Sequence, residues 1–531
     1  MNTPSHLDSP SVIEIRYFKV GKEAEASQHV YLSKKKASGC AFKAIKLTHT
    51  IIMDRRNFML KNSLALGGLS LLSTQSFAFD LFLQKEFPSN RPPLAQRTFT
   101  SKAVEAIIKE VKAVIKDKEL AWLFENCYPN TLDTTIDYEI IDGKPDTFII
   151  TGDIDAMWLR DSTAQVWPYM PLIQKDDKIK NLVKGLINRQ AKCVLKDPYA
   201  NAFYKDLNKE SEWKSDKPTP IPGVHERKWE IDSLCYVVRL AHEYYKISGD
   251  VSIFDDDWQK AMTLLVQTLR TEQRKDGTSP YAFVRETVSM IDAPTFAGTG
   301  RPIKGVGLIA SMFRPSDDAT LFPFLIPSNI FAVISLRQLS SIYSDVLNNK
   351  AFANECSVFA DEVDAAIKKY AVIEHENFGK IIAYEVDGFG NKIFMDDANV
   401  PSLMSLPYIG TDKSDYPLEN TRQFLLSDSN PYYLTGRAAE GQASPHTGKE
   451  KIWPMGIILR AMTSHDKDEI VKCLTMLKNT HANTGFMHEA FHKDNPQDFN
   501  RKWFAWANTL FGELIIKIYH ERKEILALQL A

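Results

Sequence analysis

Three carboxylates, an arginine and a tryptophan crowd into Gly152-Asp153-Ile154-Asp155-Ala156-Met157-Trp158-Leu159-Arg160-Asp161, which runs straight into an apolar, helix-like segment ending near Tyr169. Those side chains suit a hydroxyl-rich ligand. A guanidinium fork donates, a carboxylate accepts from neighbouring hydroxyls, and an indole offers a flat apolar face. One such stretch could equally be a surface ion pair beside a core tryptophan, but the layout recurs along the chain. Pro222–Ser233 sets His225, Glu226, Glu230 and Asp232 around Trp229, and Met312–Ala319 places Arg314 close to the adjacent pair Asp317-Asp318. A carboxyl beside an apolar run can be desolvated until its pKa rises, as a general acid requires.

Polar loops around Asp396-Asp397 and around His446 are less specific and could be simple helix caps. The last loop carries His488-Glu489-Ala490-Phe491-His492, formally a zincin His-Glu-x-x-His, and runs on to Arg501-Lys502-Trp503. Zinc binding by that motif needs one helix through both histidines. Gly485 before it and Asn495-Pro496 after it leave little room for such a helix. The competing use of Glu489 is as a base for water opposite an acid from the Asp317-Asp318 loop, because two carboxyls flanking a sugar bond can hydrolyse it.

These loops need a scaffold, and the pattern from Ser101 onward is overwhelmingly helical. Six apolar-rich segments follow the polar loops: 161–170, 230–245, 328–341, 396–406, 453–462 and 503–518. Amphipathic helices at 101–115, 176–195, 256–274, 349–370, 418–427 and 467–479 alternate with them. Six outer and inner pairs predict an all-α (α/α)6 barrel, its inner helices apolar around most of their girth and its outer ones striped. Short strands at 147–150, 281–285 and 381–384 read as hairpins over one end. No fixed repeat period supports a solenoid.

With 44% hydrophobic and 25% charged residues and a formal net charge of −2, the 531-residue chain shows no basic excess pointing to nucleic acid or an anionic membrane. Its cysteines, at 40, 127, 193, 235, 356 and 473, form no CxxC pair and read as buried thiols. Near the N-terminus, Met53-Asp54-Arg55-Arg56 precedes the apolar run Leu64–Leu72 and the small-x-small site Ser76-Phe77-Ala78. That is a twin-arginine signal peptide over 53–78, its apolar part too short to be a permanent membrane span. Residues 1–52 then read as an over-extended, disordered N-terminus, 79–96 as a linker, and 97–531 as the catalytic domain of a protein exported by the twin-arginine machinery to the periplasm or another extracytoplasmic space.

Taken together, Thr151–Ser162, Phe313–Ala319, Gly485–Glu489 and Trp503–Asn508 make the chain, from about residue 100 onward, resemble the metal-independent α-mannosidases of glycoside hydrolase family 125. The resemblance implies a six-hairpin barrel that removes terminal α-1,6-linked mannose from a glycan with inversion and without a metal or other cofactor. It places the general base on Glu489 and the general acid in the pair Asp317-Asp318, without choosing between them. Ala490 departs from the pattern, since a small hydroxyl residue is expected there. We assign sugar contacts to Asp155, Trp158, Arg160, Asp161, His225, Glu226, Asp232, Arg314, His446 and His488. The alternatives are a zinc peptidase built on 488–492 and a non-catalytic glycan-binding protein of the same fold.

Overall fold

The computed structural model describes residues 87–531 apart from Thr278. The expected signal peptide and the extension before it lie outside the described residues. Lys85–Ala531 forms one compact unit. The stretch expected as a linker is tied down in its described part: Arg91 pairs with Asp133 at 2.7 Å and Glu105 at 2.6 Å, and Pro88 O accepts from the Trp122 indole.

Among the described residues, twelve helices have eight residues or more. They are α1 (Lys102–Lys112), α2 (Lys118–Cys127), α3 (Leu159–Val166), α4 (Asp177–Lys196), α5 (Ile231–Ser248), α6 (Asp256–Thr271), α7 (Ile326–Asp345), α8 (Lys350–Tyr370), α9 (Leu418–Leu425), α10 (Pro454–Met462), α11 (Lys467–Thr480) and α12 (Ala505–Glu521). Helices α3, α5 and α7 pack side by side, α10 packs on α12, and α12 returns to α3. Outside them α8 lies against α7, α6 against α4, and α11 against α10.

The two sets differ as their surroundings demand. In α7, Ile326–Val333 is buried without interruption, because neighbours surround it. In α8 the buried residues are Ala353, Cys356, Phe359, Ala360, Val363, Ala366 and Ile367, a single stripe at helical spacing. Their starts differ too. Helices α4, α6, α8 and α11 are capped by Asp176, Asp255, Asn349 and Asp466, each accepting a backbone N–H of the first turn. Helices α3, α5, α7, α10 and α12 begin after Trp158, Glu230, Leu325, Trp453 and Phe504, with no side-chain cap. At α3, α5, α10 and α12 an aromatic or acidic side chain thus stands where a cap would.

Two expectations fail. Residues 396–406 are not a helix, and only Leu406–Ile409 forms a short turn of one. Asp396 accepts the backbone N–H groups of Leu403 at 2.8 Å and Met404 at 3.0 Å, folding the segment into a loop, and Pro401 within it has no N–H to give a helix. The strand expected at 281–285 is a single bridge between Val284 and Lys217. The β content is otherwise spread over six two- or three-stranded sheets rather than a few hairpins. The largest hairpin pairs Ile136–Ile141 with Lys144–Ile149 and packs on α4. No helix among the described residues is long and apolar enough to cross a membrane.

Candidate active site

The uncapped starts of α3, α10 and α12 meet at one pocket. Its walls include Trp158, Arg160 and Asp161 at the head of α3, Pro315, Ser316 and Asp317 before α7, His446 and Trp453 before α10, and Glu489, Arg501, Phe504 and Trp506 around the start of α12. Trp158, Trp453, Phe504 and Trp506 give it an aromatic lining suited to the C–H faces of a sugar ring.

Arg160 is buried at its floor. One terminal nitrogen, Nη1, lies 2.6 Å from Glu230 and 3.2 Å from Asp232, while Nη2 lies 3.2 Å from Asp317 and Nε 3.4 Å from Asp161. The sequence suggested that this fork is offered to a ligand. Instead its two terminal nitrogens are engaged by Glu230, Asp232 and Asp317, with Asp161 alongside, so Arg160 fixes the acidic groups of the pocket and neutralises part of their charge. Burial pushes both Asp161 and Asp232 up to about 6.

The backbone separates the two members of the Asp317-Asp318 pair. Phe313 bridges to Ala319, and Arg314 N–H donates to Asp318 O at 2.8 Å, closing a tight loop in which Asp317 adopts φ 65°. This left-handed conformation is uncommon outside glycine. It turns Asp317 into the pocket with its side chain 23% exposed, whereas Asp318 is buried behind and lies 3.0 Å from His446 Nδ1. Burial opposes a charge on His446, yet the Asp318 carboxylate outweighs it and lifts the imidazole to about 9. His446 is therefore cationic at neutral pH, beside Asp317.

Glu489 lines the pocket, with Arg501 Nε 3.4 Å from its carboxylate. The zincin reading fails on geometry. Ala490–His492 is a strand with a register shift at 491/492, and at about 3.3 Å per residue the two histidines lie far beyond a shared metal. His488 stacks on Phe499 with ring centroids 3.9 Å apart and its Nδ1 2.9 Å from Arg501 O, while His492 faces Glu450 at 3.5 Å.

Several expected sugar contacts stand elsewhere. Asp155 is exposed at the surface and pairs with Lys209 at 2.8 Å. His225 is packed 5.1 Å from the rings of both Trp158 and Tyr204 and pairs with Glu212 at 2.7 Å, so it backs the tryptophan. Glu226 is taken by Arg285 at 2.8 Å, Asp232 by Arg160, and Arg314 by Glu385 at 2.6 Å; all lie behind the pocket wall, as does His488. The sequence reading left out Arg501, Trp453, Phe504 and Trp506 as pocket residues, although aromatics at helix starts were a visible signal. It also left out Asn201, whose amide lies 3.2 Å from both Glu226 and Asp317, and nothing in its local sequence singles it out.

A family model described as metal-independent alpha-mannosidase (GH125) matches residues 117–516. The chain belongs to this family. It is a glycoside hydrolase of the α-mannosidase type. It is 38% identical, with a TM-score of 0.76 over 80% of this chain and 100% of the other, to a Streptococcus pneumoniae member of the metal-independent α-mannosidases, solved as a non-productive complex with α-1,6-mannobiose. It is also 41% identical over 458 residues, 83% of this chain and 90% of the other, to the meiotically up-regulated gene 157 protein of Schizosaccharomyces pombe.

Proposed function

We propose that this α-mannosidase removes terminal α-1,6-linked mannose by inversion, with Asp317 as general acid and Glu489 as general base. The observation that carries the reading is that Asp317 and Glu489, from loops 172 residues apart, line one narrow pocket that also holds Trp158, Trp453, Phe504 and Trp506. Asp317 protonates the leaving glycosidic oxygen as the C1–O bond breaks, while Glu489 takes a proton from the water that attacks C1 from the opposite face. Asp318 holds His446 instead. The α-1,6 linkage is supported by the mannobiose bound to the Streptococcus relative, and a pocket closed by bulky aromatics suits a terminal sugar.

The scaffold is read as an (α/α)6 barrel in which α3, α5, α7, α10 and α12 are inner helices and the 396–409 segment takes the fourth inner place. The paired arginines at 55–56 support export by the twin-arginine route to an extracytoplasmic space. Replacing both with lysine should strand the enzyme in the cytoplasm, and unchanged export would remove that assignment.

The deciding experiment for the chemistry is hydrolysis of α-1,2-, α-1,3- and α-1,6-mannobiose, with NMR of the anomer first released. Release of β-mannose from the α-1,6 substrate is expected. First release of α-mannose, or full activity of Glu489→Gln, overturns the mechanism. Chelation by EDTA should leave turnover unchanged, and loss that zinc restores would reinstate the metal reading.

A further inference from the structure

Glu230 has no place in the mechanism just described, yet it shares two partners with the acid. It is the last residue before α5 and its side chain is fully buried. Its Oε2 accepts from Arg160 Nη1 at 2.6 Å and Ser233 Oγ at 2.8 Å, and its Oε1 lies 3.5 Å from Asn201 Nδ2. Asp317 Oδ1 accepts from the same two side chains, Arg160 Nη2 at 3.2 Å and Asn201 Nδ2 at 3.2 Å. One guanidinium and one amide thus bracket two neighbouring carboxyls. Two carboxylates can only accept, so placing them side by side on shared donors is favourable when one of them carries a proton.

The surroundings enforce the same conclusion. Asp161, Glu230, Asp232 and Asp317 all share Arg160. Lys228 is occupied by Asp292 at 2.8 Å, Glu226 at 3.5 Å and the Asp317 carbonyl at 2.9 Å. His446 approaches Asp317 from the α10 side and is held by Asp318. Full ionisation of four carboxyls around one guanidinium is strongly disfavoured in a buried site. Burial pushes Glu230 well above the usual range; for Asp317 burial acts in the same sense, but Arg160 and Lys228 outweigh it and hold that carboxyl low.

We propose that Glu230 is a positioning residue that shares one proton with Asp317, storing it in the free enzyme and returning it as the glycosidic oxygen arrives. The inference rests on Asp317 being the acid. An O–H bond on Glu230 breaks as one forms on Asp317; that bond then breaks as the leaving oxygen gains the proton and the C1–O electron pair. After product leaves, Asp317, the accessible member, takes a proton from solvent and passes it back to Glu230, while Glu489 releases to solvent the proton it took from water.

Glu230→Gln tests this, because the amide keeps the hydrogen bonds and the volume but has no proton to give. Turnover of α-1,6-mannobiose should fall about 100-fold, the scale of general acid catalysis. Hydrolysis of α-mannosyl fluoride, whose leaving group departs without a proton, should fall less than about fivefold, with mannose affinity and melting temperature near wild type. The alkaline limb of the kcat/KM profile for mannobiose should move to lower pH. Glu230→Asp, which retains a titratable group, should recover part of the mannobiose activity, so a folding failure of the glutamine variant leaves a second reading. Asp232→Asn, which contacts Arg160 but not Asp317, should lower both substrates equally. Equal loss on both substrates for Glu230→Gln, or an unmoved pH profile, overturns the proposal. If Asp317→Asn itself fails to spare mannosyl fluoride, the acid assignment falls and the Glu230 proposal with it; if Asp317→Asn spares it and Glu230→Gln does not, the Glu230 proposal alone falls.

Discussion

Arg160→Met is the most informative single change, because it removes a charge while keeping much of the packing volume. The arginine lies within 3.4 Å of four carboxyls, all in a buried site. Breaking a buried ion pair by removing one partner costs about 3–5 kcal/mol. The loss should depend on pH in a defined direction. Asp161 and Asp232 already sit at about 6 through burial, above their unfolded values near about 3.9. Such raised carboxyls weaken the fold as pH climbs from the unfolded value through the folded one. Without the guanidinium they rise further, so the folded variant binds at least one extra proton near neutrality. One extra proton changes the deficit by about 1.36 kcal/mol per pH unit. A loss of about 4 kcal/mol near pH 7.5 should therefore shrink by roughly 2 kcal/mol near pH 5, since wild type binds the same proton below about pH 6. Urea unfolding followed by tryptophan fluorescence at both pH values measures it. An equal deficit at the two pH values would refute the view that Arg160 exists to neutralise the cluster.

Other consequences follow from the same geometry. His446 is raised to about 9 by Asp318, so its stabilisation is complete below about pH 6.5 and lost as pH rises through about 9. With its side chain about a third exposed, wild type should lose on the order of 1 kcal/mol relative to His446→Gln between about pH 7 and about pH 10. Gly185→Ala would set a Cβ 2.4 Å from Thr147 Oγ1 and 3.0 Å from Thr147 N, wedging α4 off the hairpin. A destabilisation of about 1–3 kcal/mol is expected in thermal melts, without a change in KM. His225→Ala should raise KM for mannobiose several-fold by loosening Trp158, while kcat changes little; an unchanged KM would remove its supporting role.

How much of this was legible in the chain divides along one physical line. The helices were, because burial of a helix imposes a 3.6-residue period: α4, α5, α7, α8 and α12 begin and end within a few residues of where periodicity and caps put them. Trp158, Arg160, Asp161, Asp317, His446 and Glu489 were visible as polar or aromatic groups perched before apolar runs, and the structure gathers all six at one pocket. The fourth inner segment misled because Asp396 diverts backbone donors that an apolar run would otherwise give to a helix, and such a diversion has no period.

Which groups face a ligand and which face one another was decided only in three dimensions. Asp317 and Asp318 are adjacent and chemically identical; a positive φ at the first separates a pocket carboxyl from a buried partner of His446. His225, Glu226, Asp232 and Arg314 carry the same residue types as pocket groups, yet each is paired with a partner from another segment. Asn201 and Glu230 become important solely through what packs beside them. Sequence determines which side chains can donate, accept or titrate, since that is local chemistry. Desolvation and partnership, which decide what they do, depend on other segments of the chain and exist only once it has folded.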